Sequence, residues 1–224
     1  MREVESPNYP EQRDAISHDW MKYFSHFDVL PFLIPNSFSQ TQVLLNEIQP
    51  DVVFLTNGED ISGNQNPTNL TGDCLTCLRD SVEVKLLDYA VARKIPVLGV
   101  CRGLQFLQVY FGGEPPSLLD DSHDSFERHV SQVHTVKTFE SFRRIVQADD
   151  FQVNSFHRYG VKSYELAPGL EPCAVSDDGV VEALCHTDLP ILAIQWHPER
   201  PNPASRQDQR IMHHVLKSAV SVTQ

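Results

Sequence analysis

Residues Pro96–Gly113 read PVLGVCRGLQFLQVYFGG, and the reading of this stretch decides the fold. An apolar run, Ile95–Val100, closes on Gly99-Val100-Cys101-Arg102-Gly103, and a helical pattern follows as far as Gly112-Gly113. A short continuous apolar run reads as a buried strand, and a glycine pair stops a helix. Strand, tight turn and helix around Gly-x-nucleophile-x-Gly form a nucleophile elbow, whose strained turn needs small flanking residues. Such a turn places Cys101 at the carboxyl end of a sheet and at a helix N-terminus, where the positive dipole end favours thiolate. The N–H of Arg102 then points to where an oxyanion would form. A buried structural cysteine at a crowded turn is the competing reading of these five residues; the strand before and the helix after favour the nucleophile.

Outward from the elbow, apolar runs alternate with amphipathic segments. Residues 51–58 (DVVFLTNG) form a β-rich run ending on Asn-Gly, and 77–94 read as a helix with Val82, Leu86, Leu87 and Ala90 on one face. Residues 190–199 (PILAIQWHPE) read as a strand ending on polar residues, and RQDQRIMHHVLKSAVSV closes the chain as an amphipathic helix. Continuous apolar strands separated by helices predict a mostly parallel sheet covered on both faces, in one α/β domain spanning residues 1–224. Residues 64–73 (NQNPTNLTGD) read as a flexible loop.

Composition narrows the function classes. The 224 residues carry 18 Lys+Arg against 30 Asp+Glu, a net charge of −12, so the basic footprint of a nucleic-acid or anionic-membrane binder is missing. No apolar run approaches the length of a membrane span, and the opening MREVESPNYPEQRD has no apolar leader. Five cysteines, an odd count, suggest reduced thiols and a cytoplasmic setting. The Cys74-x-x-Cys77 pair lacks a second ligand pair and is assigned no metal.

A cysteine nucleophile needs a base. His197 follows the apolar run ILAIQW, so a parallel sheet would bring it to the same edge as Cys101, and Glu199, two residues on, can orient it. His18, His26, His213 and His214 read as solvated. His157, in NSFHRYG, is either a structural turn residue or a substrate contact; His129 and His134 either line the cleft or decorate a strand. Arg158 and Arg13 are candidates for a diphosphate, because guanidinium pairs with phosphate oxygens in bidentate fashion.

Taken together, GVCRGLQFL and AIQWHPE closely resemble the class I glutamine amidotransferase superfamily, over about Asp51 to Glu199, and Cys-Arg-Gly resembles its γ-glutamyl hydrolase branch. The resemblance implies a flavodoxin-like open sheet and a Cys101–His197–Glu199 triad. It implies oxyanion donors at Gly58, in LTNGED, and at Arg102, and a glutamyl contact at Gln105. NYPEQRDAISHDWMKYF and VNSFHRYGV resemble hydrolases that release glutamate from a γ-glutamyl cytidine-diphosphate amide in capsule phosphoramidate biosynthesis. The expected substrate is therefore a small γ-glutamyl amide, with no cofactor. The alternatives are a γ-glutamyl amine, polyglutamate, or glutamine hydrolysed for a synthetase partner. Relatives open on a short apolar strand before the position of Arg2; its absence here would expose a sheet edge and lower solubility.

Overall fold

In a computed structural model, residues 1–6, 8–37, 39–58, 61, 75–119 and 129–222 are described. The chain opens with a hairpin, β1 (Arg2–Glu5) and β2 (Gln12–Ala15), that forms its own two-stranded sheet. Helices α1 (His18–Phe24) and α2 (Thr41–Ile48) lead into β3 (Val53–Leu55). Then come α3 (Leu75–Arg93), β4 (Val97–Val100) and α4 (Arg102–Tyr110). The short strands β5 (Ser117–Leu118) and β8 (Tyr159–Gly160) pair with each other. Between them lie β6 (Val130–Thr138), α5 (Glu140–Val146) and β7 (Asp150–Phe156). Strands β9 (Leu170–Ser176), β10 (Val181–His186) and β11 (Ile191–Ile194), then α6 (Ser205–Val222), complete the chain.

The main sheet has seven strands in the order β3-β4-β11-β10-β9-β6-β7. Every residue of β4 and β11 is buried, and alternate side chains go to opposite faces. Leu98, Val100, Leu192 and Ile194 join a core with Trp20 and Phe24 of α1, Phe142 of α5 and Met212 of α6. Val97, Ile191 and Ala193 join a second core with Leu45 of α2, Leu87 of α3 and Leu104 and Leu107 of α4. Helices thus cover both faces, and the continuous apolar runs at 95–100 and 190–194 are the strands between them.

The mostly parallel sheet expected from the alternation is not what forms. Only β3–β4 and β4–β11 are parallel; β11–β10, β10–β9, β9–β6 and β6–β7 are antiparallel. The reason is connection length. A parallel pair needs a crossover of about a dozen residues or more. The turn Asp177–Val180, with Gly179 at φ 81°, and the link from Thr187 to Pro190 leave β9, β10 and β11 only the antiparallel choice. β3 forms one edge of the sheet. Beside it lies a groove of about 620 Å³ lined by Leu30, Phe32, Leu33 and the strand itself. The 64–73 loop and Cys74 fall outside the described residues.

Candidate active site

The turn after β4 is strained. Cys101 has φ 53° and ψ −102°, a conformation residues with a side chain seldom adopt. Its surroundings hold it there. The Cys101 N–H donates to the Ile194 carbonyl at 2.8 Å, which extends the β4–β11 ladder by one bond. The Cys101 carbonyl accepts from Leu104 and Gln105 N–H, opening α4. The flanking glycines let helix and strands close up: a Cβ on Gly99 would stand 2.8 Å from the Gly103 carbonyl carbon, and one on Gly103 would strike the Leu55 carbonyl. Cys101 therefore sits buried at the carboxyl end of β4 and on the N-terminus of α4.

His197 lies just beyond the end of β11, the neighbour of β4. Asn154 of β7 grips its backbone from both sides: the His197 N–H donates to Oδ1 at 2.9 Å, and Nδ2 donates to the His197 carbonyl at 2.9 Å. The imidazole Nδ1 is 2.8 Å from Glu199 Oε1, so a proton there is donated to the carboxylate and Nε2 is left for chemistry. That Nε2 is buried and makes no hydrogen bond. Burial opposes a charge on His197, but the charges on Cys101 and Glu199 outweigh it and lift the pKa to about 9. The Phe156 ring meets the imidazole edge-on with centroids 5.6 Å apart, and the Arg200 guanidinium lies 4.5 Å over Phe156.

Under the turn lies a buried charge cluster. The Arg102 side chain, 1% exposed, pairs with both Asp80 and Glu83 of α3. Arg79, fully buried, pairs with Glu83 at 2.8 Å and donates to the Thr56 and Asn57 carbonyls at 2.6 and 3.3 Å. Burial would raise the Glu83 pKa, yet Arg102 and Arg79 hold it below the usual carboxylate value. The loop after β3 is braced further by Trp20, whose indole N–H donates to Asn57 Oδ1 at 2.8 Å. At Gly58 a Cβ would collide with the Arg79 guanidinium, so the glycine is what lets Arg79 pass. The parallel register Leu55↔Gly99 carries Thr56–Gly58 alongside Val100–Arg102.

Of the residues singled out from the sequence, the fold gathers Cys101, His197 and Glu199, with Gly58 and Arg102 on the adjoining turns. Gln105 is 5% exposed and donates to the Tyr159 carbonyl at 3.0 Å. His157 belongs to a buried group with His129, His134 and Glu182. Arg158 is exposed between β7 and β8, and Arg13 sits on β2 against Glu11 and Tyr9. Asn154, Arg79, Asp80, Glu83 and Arg200 carry no motif. Of these, only Arg79 and Glu83, four apart on a helix, gave a signal, and it reads as a surface ion pair.

A model of the Peptidase C26 family matches residues 2–199. The γ-glutamyl-CDP-amidate hydrolase of Campylobacter jejuni is 29% identical over 201 residues, 87% of this chain and 85% of that protein. The γ-glutamyl-γ-aminobutyrate hydrolase of Escherichia coli O157:H7 is 29% identical over 202 residues, 83% of this chain and 78% of that protein. Among solved structures, the Trypanosoma brucei CTPS glutaminase domain superposes with a TM-score of 0.59 at 19% identity, over 89% of this chain and 88% of that one.

Proposed function

Because the chain belongs to the Peptidase C26 family, within the class I glutamine amidotransferase-like proteins, we propose that it hydrolyses a γ-glutamyl amide bond with Cys101 as nucleophile. The observation that carries the reading is the His197 ring, held by Glu199 through Nδ1 at the end of the strand beside the one that bears Cys101, where the charges on Cys101 and Glu199 favour its protonated form.

The steps follow from that arrangement. The Cys101 thiolate attacks the γ-carbonyl carbon and a C–S bond forms. The N–H groups of Gly58 and Arg102 hold the resulting oxyanion. Imidazolium His197 gives its Nε2 proton to the departing nitrogen as the C–N bond breaks, leaving a glutamyl thioester. Neutral His197 then takes a proton from water, which attacks the thioester; the C–S bond breaks, glutamate leaves, and the thiolate–imidazolium pair is restored. Cys101→Ala is expected to lower kcat by at least about a thousandfold while substrate binding, measured by calorimetry, persists. Near-normal turnover by this variant would sink the scheme.

For the leaving group we favour cytidine diphosphoramidate, released from γ-glutamyl-CDP-amidate. The likeness to the Campylobacter jejuni enzyme over most of the chain supports this, as does Arg200, part-exposed beside Glu199 and able to face a phosphate. A γ-glutamyl amine such as γ-glutamyl-γ-aminobutyrate is the second reading, favoured by the equal identity to the Escherichia coli enzyme. Glutamate release from γ-glutamyl-CDP-amidate, γ-glutamyl-γ-aminobutyrate and glutamine, compared by kcat/KM, decides between them. Activity on glutamine alone, and only with a synthetase present, would replace both with a glutaminase subunit.

A further inference from the structure

Away from the turn that bears Cys101, three imidazoles converge on one carboxylate. Glu182 of β10 is fully buried, and neither of its oxygens makes a hydrogen bond. Around its Oε1 stand His129 Nδ1 at 3.3 Å, His134 Nε2 at 3.3 Å and His157 Nε2 at 3.4 Å. His129 Nδ1 and His157 Nε2 are themselves 3.2 Å apart. The residues come from β6, β10 and the segments flanking β6 and β7, so only the antiparallel half of the sheet brings them together.

We propose that His129, His134 and Glu182, with His157 beside them, form a buried site for a divalent transition-metal cation of the zinc class. Four observations carry this. First, three imidazole nitrogens stand 3.3–3.4 Å from Glu182 Oε1, yet neither Glu182 oxygen makes an aligned hydrogen bond. The His129 and His134 distances match the edge of a tetrahedron: metal–ligand bonds of about 2.0–2.1 Å place ligand atoms about 3.3–3.4 Å apart. Second, a buried carboxylate without an aligned hydrogen bond is destabilising, and a cation in the group supplies a direct partner for it. Third, the ring nitrogens pointing away from the centre are occupied as those of metal-bound histidines are. His129 Nε2 lies 3.2 Å from Asp178 Oδ2, and His157 Nδ1 lies 3.0 Å from the Tyr159 carbonyl. Such partners fix the tautomer that presents the other nitrogen to the metal. Fourth, two imidazoles and a carboxylate are a donor set suited to zinc rather than to calcium or magnesium. His134, 13% exposed, is the side from which a cation would enter.

The site would act as a brace. The Tyr159 carbonyl that accepts from His157 also accepts from Gln105, on the first turn of α4 after Cys101. A cation there would tie β6, β7 and β10 to the segment that packs against α4.

The test uses the full chain. Metal content of protein purified from zinc-supplemented culture is measured by mass spectrometry; the protein is then stripped with a chelator and titrated with Co²⁺. One equivalent per chain is expected, with the intense visible absorption of tetrahedral cobalt and a rise in Tm on metal addition. His134→Ala and His157→Ala should each weaken Co²⁺ binding by about tenfold or more, while Cys101→Ala leaves it unchanged. Folded wild-type protein that binds no stoichiometric metal overturns the proposal. So does a cobalt spectrum with thiolate charge-transfer bands, or one that survives both histidine substitutions. Should the histidine variants fail to fold, the wild-type spectrum and stoichiometry alone decide.

Discussion

Asn154 shows how much of the placement of His197, the proposed general acid, rests on its backbone. With both the N–H and the carbonyl of His197 bonded to one buried carboxamide, and a further bond from Nδ2 to the Pro201 carbonyl, the turn after β11 cannot rotate the imidazole away. Asn154→Ala leaves two buried backbone groups unpaired, each worth about 1–3 kcal/mol. The expected result is a fall in kcat of about tenfold or more with KM little changed, read from steady-state kinetics. Glu199 acts through the same ring, but electrostatically. His197 is raised from an ordinary value of 6.5 to about 9 because Cys101 and Glu199 favour its charge more than burial disfavours it. A raised histidine stabilises the fold below its unfolded pKa, and that increment is lost as pH climbs through about 9. The general acid is lost over the same range, so kcat/KM should fall above about pH 9. Glu199→Gln removes one of the two charges, and the alkaline limb of the kcat/KM profile should move down by about one pH unit. An unmoved limb would mean that Glu199 does not set the protonation of His197. These residues differ in how visible they are from sequence. Glu199 is two positions from its partner and could be read directly. Asn154 is separated from His197 by three strands of the sheet, β10, β9 and β6, and its role exists only once β7 has been placed.

At the scale of elements, the strand–turn–helix unit around Cys101 is the part of the fold most fully written in local sequence. Its two glycines are there for close contact rather than for a positive φ. Gly103 lies against Leu55 of β3 and Gly99 against Gly103, so β3, β4 and the start of α4 meet backbone to backbone. Gly103→Ala forces that contact open. It should lower unfolding free energy by about 1–3 kcal/mol in urea titrations and depress activity with it. Loss of activity without loss of stability would place the effect at the site instead. The charge cluster beneath the turn was hidden by the same local logic that exposed the turn. Arg79 and Glu83, four apart, describe a solvated ion pair on α3 as well as a buried one, and Asp80 beside them adds nothing to choose between the two. What buries them is Arg102, whose side chain runs down from the turn into α3. The Arg102 guanidinium thus anchors the turn to α3. Arg13 and Arg158, by contrast, were chosen for their chemistry alone, and the fold leaves both on exposed segments.

For the whole molecule, the decisive feature is a sheet that changes character midway. Strands β3, β4 and β11 are parallel, buried on both faces and continuous in apolar sequence, which is why they were legible. Strands β9, β10 and β11 are antiparallel because the links between them are short, and the sign of this in the sequence was the Asp177-Asp178-Gly179 turn. One face of the parallel half stays open at its edge. Leu30 is 79% exposed and Phe32 61% exposed beside the groove along β3. Folded protein is therefore expected to bind an apolar dye such as ANS. Leu30→Ser with Phe32→Ser should reduce that binding and the light scattering of concentrated samples at nearly constant Tm, since side chains so exposed contribute little to stability. The ladder between β4 and β11 has a different consequence. Cys101 and His197 ride on neighbouring strands whose alignment is kept by amide groups, which every residue type possesses. Their relative position is therefore blind to most changes of side chain. Drift can run through much of the chain without moving thiol from imidazole, and is checked where Gly99, Gly103 and Leu55 touch and where Asn154 and Glu199 hold His197. A difference of seven residues in ten, as between this chain and its 29%-identical relatives, is compatible with such a backbone-set alignment.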